Sequence, residues 1–485
     1  MEKQPSVADD TAFPQSAFTT EKQAYASDSK PFNSTSQQDT FPSEKQPSSS
    51  VHDRALESVT DDGSQRTDVI DPDELPEGGL GAWLTVLAVF LLTFVSLGTG
   101  SVWGIFQSAY ATDPSSRFQQ DSTFKIGFVG GCSGLAFIIG SFSNILISKF
   151  GIHAPIILGV GTLVAALMLG SIAKTYWELL LSQGIMFGIG CSFAYVPAIS
   201  LPAQRFQKKR AFATGIASAG ACAGAVILAP VVQSSIDHFG IPWALRILGF
   251  LTLALGVTAI CCIRQRGATK KIVQYRPFDP SLLKIPGYPL YLAFAFLQFF
   301  GHEIPLFFIP SYCTTIRISP VNASAVLSVA SSVSCIGRIM AGMMADKWGT
   351  INVLILFKFL SGLTCLVIWT LAKSLGVMMA FAVFWGFFSG AYWALSVPAS
   401  AKIVGLEKLG SAVALQFLTN VLPAIFAAPI GSQIIAATAA NAGISIDDVE
   451  AYKFLIVWAG LASVVSSLIL VPVRLGFSTK LLERV

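Results

Sequence analysis

Charged side chains are scarce in this sequence. Only 12% of its 485 residues are charged and 53% are hydrophobic, whereas about 25% of the residues of a soluble domain are charged. The formal net charge is +4, which is too small and too dispersed to indicate binding to nucleic acid. The scarcity of charge indicates that lipid surrounds most of the chain.

Catalytic and metal-binding patterns are also missing from the sequence. It contains no G-x-S-x-G, no H-E-x-x-H and no G-x-G-x-x-G after a strand. The eight cysteines lie in or beside apolar stretches and form no C-x-x-C pair, so we interpret them as small residues that pack helices. A membrane enzyme is therefore disfavoured, and no cofactor or metal is expected.

Residues 1–80 differ from the rest of the chain. They are rich in Ser, Thr, Gln, Asp and Pro, and such a segment cannot bury enough apolar surface to offset the entropy of ordering it. The stretch also lacks the basic start and apolar core of a secretory signal. It is therefore predicted to be a disordered cytosolic tail.

From Trp83 onward the chain divides into apolar runs of about 20 residues, the length that crosses a bilayer as a helix. Helices are expected because lipid offers the backbone no hydrogen-bond partners. The sequence predicts an all-α membrane protein with twelve transmembrane helices. The expected spans are 82–110, 126–148, 153–173, 176–198, 211–236, 242–263, 288–314, 321–341, 351–372, 376–398, 410–438 and 452–473.

The longest polar interruption, residues 264–287, follows the sixth run. It is interpreted as a cytosolic central loop between an N-terminal half, 81–263, and a C-terminal half, 288–485. Lys and Arg concentrate in the connections on the side of the tail, as at 205–210, which places both termini in the cytosol. The plasma membrane is the expected location, the vacuolar membrane is the alternative, and a monomer is expected.

The two halves contain faint internal repeats. The stretch "GRIMAGMMADKWG", 337–349, is echoed by "GSFSNILISKFG", 140–151, and "AYWALSVPA", 391–399, by "AYVPA", 194–198. Both echoes lie about 200 residues apart, which indicates a duplication. A parallel repeat of six-helix halves is the plan of many secondary transporters.

With these features the chain resembles the major facilitator superfamily. The stretches "PEGGLGAW", 76–83, and "YVPAISLPAQRFQKKRAFATGIASAGACAGAVILAP", 195–230, resemble its monocarboxylate-porter branch, particularly the fungal members. The resemblance covers about residues 76–475. It implies secondary active transport of a small organic molecule by alternating access, with a gating loop between the eighth and ninth helices. The expected gating residues are Gly337, Arg338, Gly342, Asp346, Lys347 and Gly349.

The chain departs from the best-known members of that branch, which carry a Lys in the first helix and an Asp–Arg pair in the eighth. Residues 96–104 contain no Lys, and Ser334 stands one turn before Arg338. A simple lactate-and-proton porter is therefore disfavoured. The departure favours a larger or less charged substrate, or another coupling group.

His302 and Glu303 are the candidates for carrying a proton, because ionisable groups within membrane helices usually serve transport. Pro305 and Pro310 are expected to break their helix, as happens in helices that line cavities. The alternative is that both groups lie in the wet outer mouth of the cavity. Lys358, in the ninth run, is expected to extend to the cytosolic surface.

The resemblance implies that helices 1, 4, 7 and 10 line the cavity, assisted by helices 2, 5, 8 and 11. Aromatic side chains there would stack on flat organic substrates, although helix packing is an alternative role for each. The expected substrate-binding residues are Trp103, Gln107, Tyr195, Gln298, His302, Tyr392, Trp393 and Asn420.

Export of a secondary metabolite is the first functional hypothesis. Proton-coupled import of a monocarboxylate or vitamin-like organic acid is the alternative. A nutrient sensor with a transporter fold, signalling through the tail, is the alternative from a different class. No nucleotide-binding motif is visible, so a proton or substrate gradient is the expected energy source.

Overall fold

The computed structural model describes residues 78–112, 118, 123–132, 142–263, 279–446 and 448–477. Residues 1–77 of the predicted tail lie outside these ranges. Residues 264–278 of the predicted central loop lie outside them as well. Long helices fill most of the described ranges. In the first half they are α1 (Leu80–Tyr110), α2a (Thr123–Cys132), α2b (Ser143–Phe150), α3 (His153–Ile172), α4 (Tyr176–Arg205), α5 (Arg210–Phe239) and α6 (Ile241–Cys262).

A short 3₁₀ turn, Pro280–Lys284, precedes the second half, and another such turn, Val449–Tyr452, precedes the last helix. Its helices are α7 (Tyr288–Thr315), α8 (Pro320–Trp348), α9 (Thr350–Trp369), α10 (Leu375–Val404), α11 (Leu409–Ala442) and α12 (Lys453–Phe477).

Eleven helices in the described ranges are long and apolar enough to cross a membrane. The chain is therefore an all-α, multi-pass membrane protein, as the apolar runs predict. The remaining expected span, 126–148, is represented by α2a and α2b, and residues 133–141 between them lie outside the described ranges.

The prediction that Pro305 and Pro310 break their helix is wrong. α7 continues through both prolines for 28 residues. A proline removes one backbone donor, but a membrane helix tolerates this loss where neighbouring helices support it. Here α12 packs tightly on α7, with Ser463 against Gly301.

The prediction of a gating loop at 337–349 is also wrong in its secondary structure. Residues 337–348 form the last turns of α8, and Gly349 alone separates α8 from α9. Its φ of 96° lies in the region that favours glycine. The Ala and Met residues of this stretch sustain a helix up to that point.

One end of the bundle is rich in basic residues and is called the basic end below. α4, α8 and α10 finish there, and α5 and α11 begin there. Its basic residues include Arg205, Lys208, Lys209, Arg210, Lys347, Lys402 and Lys408.

α5 and α8 pack closely near the basic end. A Cβ atom at Gly342 would lie 2.6 Å from the carbonyl oxygen of Ala211, and one at Gly215 would lie 2.6 Å from that of Arg338. Glycines at both positions therefore let the two backbones touch, as in other close membrane-helix pairs. This contact joins the first half of the chain to the second.

Candidate functional site

Buried aromatic and amide side chains from α7, α10 and α11 meet within the second half. We call this group the central cluster, and it consists of Gln298, Phe299, His302, Tyr392, Trp393, Gln416 and Asn420. All seven are at most 8% exposed.

α7 presents one face to the cluster. Tyr291 near its start contacts α10 and α11, and His302 further along contacts α10. Gln298 lies between them at helical spacing, four residues before His302, and so shares this face. Phe299 packs edge-on against Tyr392 and Trp393 with ring centroids 6.5 and 5.9 Å away.

Tyr392 is the centre of a hydrogen-bond network. Its hydroxyl accepts a bond of 3.1 Å from the Gln416 amide nitrogen and one of 2.8 Å from the Asn420 amide nitrogen. The opposite end of Gln416 is also fixed, because its Oε1 accepts from the hydroxyls of Ser400, at 3.0 Å, and Tyr291, at 3.2 Å. The network sets the orientation of Gln416 and holds the Tyr392 ring in place.

His302 and Trp393 form the second polar contact of the cluster. The Trp393 indole donates to Nε2 of His302 at 3.2 Å. The imidazole also stacks on Trp385, with ring centroids 5.6 Å apart and planes inclined by 22°. His302 is 7% exposed, so the alternative that it lies in a wet outer mouth does not hold in this conformation.

The expectation that Lys358 extends to the surface is wrong. The residue is 1% exposed, and its ammonium group donates a 2.9 Å hydrogen bond to the carbonyl oxygen of Ser389. At Gly390 a turn separates the helical segments Leu375–Ser389 and Ala391–Val404 of α10. The carbonyl end of the first segment carries partial negative charge, which attracts the Lys358 ammonium. The ammonium lies 5.9 Å from the centre of the Tyr392 ring.

Arg338 lies beside the cluster instead of in a loop. Its Cζ is 5.8 Å from the centre of the Trp393 ring, and its Nη1 donates a 2.6 Å hydrogen bond to the carbonyl oxygen of Ser218 in α5. The guanidinium therefore connects the cluster to the first half of the chain.

Several buried polar atoms around the cluster have no hydrogen-bond partner in the described part of the chain. They are both amide atoms of Gln298, Oδ1 of Asn420, Nδ1 of His302 and Nε of Arg338. Buried polar groups are normally paired. A concentration of unpaired groups among aromatic rings is typical of a site that a ligand or water completes.

The structure brings His302, Tyr392, Trp393 and Asn420 together, and Gln298 is buried four residues before His302 on the same face of α7. Their role in substrate binding stays a prediction. Gln416 belongs to the cluster and is not among the predicted residues, although a polar side chain within an apolar run is a signal for such a position. Lys358 carries the same signal, but it is buried and not at the cytosolic surface.

The other predicted residues lie elsewhere. Tyr195 of α4 packs edge-on against Phe417 of α11, with ring centroids 5.5 Å apart, and lies outside the central cluster. Trp103 packs within the first half against Phe106, Tyr110 and Gly130. Gln107 and Glu303 are partly exposed, and the structure gives neither of them a hydrogen bond to the cluster.

Two of the predicted gating residues, Gly342 and Asp346, contact the first half at the basic end. The Asp346 carboxylate accepts hydrogen bonds from the backbone N–H groups of Ala211, at 3.0 Å, and Phe212, at 2.9 Å. These groups belong to the first turn of α5, where a helix leaves its N–H groups unpaired and favours negative charge. Asp346 thus caps a helix of the other half.

The first-half echo of this stretch makes a matching contact. The Asn144 amide in α2b donates a 3.3 Å hydrogen bond to the carbonyl oxygen of Gly410, in the first turn of α11. The end of α8 therefore meets the start of α5, and α2b meets the start of α11. The hydrogen bond of Asn144 joins two neutral groups, so it is expected to be weaker than the bonds of the Asp346 carboxylate.

The chain matches the sequence model of the Major Facilitator Superfamily over residues 85–427 and again over 314–477. The first match alone spans well over half of the chain.

The chain is also similar to fungal transporters. It is 32% identical to the fujikurins efflux protein of Gibberella fujikuroi, over 84% of this chain and 85% of the relative. It is 30% identical to the MFS transporter asaE of Aspergillus flavus, over 82% and 88%. It is 29% identical to the agnestins efflux protein of Paecilomyces divaricatus, over 83% and 89%.

Proposed function

Because the chain belongs to the major facilitator superfamily and is a membrane transporter, we propose that it exports a small organic molecule by alternating access. The central cluster is the substrate site, and a gradient of protons or of the substrate drives transport. The similarity to proteins named for the efflux of fujikurins and agnestins supports export. Plasma membrane location and a monomeric state are part of the proposal.

The observation that carries the proposal is the position of Trp393. Its indole nitrogen contacts His302 inside the cluster, and its ring faces Arg338, which donates to Ser218 in the other half. A ligand that displaces the ring therefore acts on a contact between the halves. Alternating access requires such a connection, since substrate binding must bias which face is closed.

The basic end is proposed to face the cytosol, with both termini on that side, because it holds the concentration of Lys and Arg. The bonds of Asp346 and Asn144 then close the protein towards the cytosol. They are short contacts at the edge of the bundle and can form and break as the halves rock. Gly337, Gly342 and Gly349 allow the close packing and the sharp turn that this gate needs.

Proton-coupled import of a monocarboxylate or vitamin-like organic acid is the second candidate. The observation in its favour is His302, a titratable group that lies inside the cluster and has an unpaired Nδ1. Glu303 is the neighbouring candidate on α7. A nutrient sensor with a transporter fold is the third candidate, and it would signal through the N-terminal tail.

Mass spectrometry of cells and medium, with and without the gene, tests these candidates. Export predicts that one compound accumulates inside the deletion strain and declines in its medium. Import predicts that a supplied acid or vitamin stays in the medium of the deletion strain. Removal of residues 1–75 should leave the flux intact in a transporter, whereas a sensor would lose its signal.

A further inference from the structure

Two buried cations flank the central cluster, and no acidic side chain pairs with either in the described part of the chain. Lys358 is 1% and Arg338 is 7% exposed. Each is held by a backbone carbonyl, that of Ser389 for Lys358 and that of Ser218 for Arg338. A carbonyl oxygen carries only partial charge, so both positive charges remain largely uncompensated.

An uncompensated charge inside a membrane protein is costly and usually serves transport. The two cations differ in what they contact. Arg338 keeps an unpaired Nε, but it is engaged between the halves and against Trp393. Lys358 has three N–H donors, and it contacts Ser389 and the Tyr392 ring, both in α10 of the second half. Lys358 is therefore the charge that we assign to the cluster.

The cluster offers unpaired hydrogen-bonding groups of both kinds. The neutral imidazole of His302 accepts from Trp393 at Nε2, so its proton lies on Nδ1, which has no partner. The Gln298 amide adds an unpaired nitrogen, and these two donors suit a ligand with oxygen acceptors. The unpaired oxygens of Gln298 and Asn420 are acceptors, and they suit a hydroxyl or N–H group elsewhere on the same ligand. The rings of Phe299, Tyr392 and Trp393 beside them suit a flat ligand.

We propose that the central cluster binds a planar organic anion, and that Lys358 supplies the positive charge that selects this anion over a neutral molecule of the same shape. The inference rests on the proposed assignment of the cluster as the substrate site. The Lys358 charge acts across the Tyr392 ring, 5.9 Å from its centre. Such a charge remains effective over this distance because the surrounding protein excludes water. An aliphatic carboxylate carries the same negative charge but lacks the flat surface, so it matches the proposed ligand in charge alone.

Calorimetric titration of the purified full chain in lipid nanodiscs at neutral pH tests the inference. The probes are 2-naphthoate (flat and anionic), 2-naphthol (flat and neutral) and cyclohexanecarboxylate (anionic and not flat). The wild type should bind 2-naphthoate at least tenfold more tightly than either of the others. Lys358→Met should lower the affinity for 2-naphthoate about tenfold and leave the affinity for 2-naphthol unchanged. Lys358→Arg should restore most of the lost 2-naphthoate affinity.

Lys373→Met is the matched control, because it removes an exposed lysine from the connection that follows α9. It should change none of the affinities. Equal wild-type affinity for 2-naphthol and 2-naphthoate would overturn the inference without any variant. If Lys358→Met loses affinity equally for 2-naphthoate and 2-naphthol, Lys358 has a structural role, and the inference is overturned as well. If cells export a compound while the wild type binds no 2-naphthoate, the inference fails and the proposed function stands.

Discussion

The indole N–H of Trp393 donates to Nε2 of His302 across 3.2 Å. The bond ties α10 to α7 and fixes the tautomer of the imidazole, since Nε2 must supply a lone pair. A proton that binds to Nε2 has to displace the indole. The position of Trp393 therefore depends on the protonation of His302. Because the Trp393 ring contacts Arg338, that contact depends on the same protonation.

Trp393→Phe should lower transport about fivefold, because a lost hydrogen bond of roughly 1 kcal/mol leaves the imidazole without its fixed tautomer. Phenylalanine preserves the aromatic surface, so the protein should still fold. Uptake or efflux by reconstituted vesicles measures the effect. Trp458→Phe, on the partly exposed face of α12, is the control and should transport normally. Equal rates for the two variants would contradict a role for the bond.

Most of the helical architecture could be predicted from the sequence, because each apolar run is long enough to span a bilayer and lipid leaves the backbone few alternatives. The spacing of Gln298 and His302 likewise placed them on one face of α7. Sequence could not reveal what lies opposite that face. Gln416 comes from α11, more than 100 residues later, and only the packing of the helices brings it to Tyr291.

Lys358 shows why other features could not be predicted. A lysine within an apolar run can extend to the surface or stay buried, and the choice depends on a distant partner. Here the partner is the Ser389 carbonyl at an irregular turn in α10. The continuity of α7 through Pro305 and Pro310 depends in the same way on its packing with α12.

Asp346→Asn should weaken the closure of the basic end. The amide keeps the size of the side chain, but only one of its two polar atoms can accept a bond from Ala211 or Phe212. It also loses the attraction between a carboxylate and a helix N-terminus, about 1 kcal/mol. We expect an increase of about tenfold in the population open at this end.

The alkylation rate of Cys335 reports this opening in a variant whose other cysteines are replaced by serine. The Cys335 thiol lies 3.8 Å from the carbonyl oxygen of Ala219 and is partly buried between α8 and α5. Asp237→Asn removes the same charge from the far end of α5, where the carboxylate accepts a bond from Gln233. A rate that rises equally in both variants would argue against Asp346 as a latch.

Gly342→Ala should separate the halves at the basic end. The added methyl group would lie 2.6 Å from the Ala211 carbonyl oxygen of the other half, which forces α5 and α8 apart. Overpacking of this kind costs about 1–3 kcal/mol, so the alkylation of Cys335 should accelerate as in Asp346→Asn. Gly376→Ala is the control, because its methyl group meets nothing within 4 Å and alanine favours a helix. A slower alkylation in Gly342→Ala than in the wild type would refute this packing.

Gln416→Met should destabilise the second half and impair binding together. The substitution keeps the approximate volume of the side chain but removes the acceptor for Ser400 and Tyr291 and the donor to Tyr392. A buried network that loses its central member costs about 2–3 kcal/mol of folding free energy, which should lower the thermal midpoint of the purified protein by several degrees.

Gln416→Glu separates the effect on stability from the effect on binding, because the acid keeps the acceptor oxygens but places a negative charge beside Tyr392. If the central cluster holds an anion, Gln416→Glu should lose affinity for 2-naphthoate while 2-naphthol still binds. A variant that binds both probes as the wild type does would show that the Gln416 network supports only the fold.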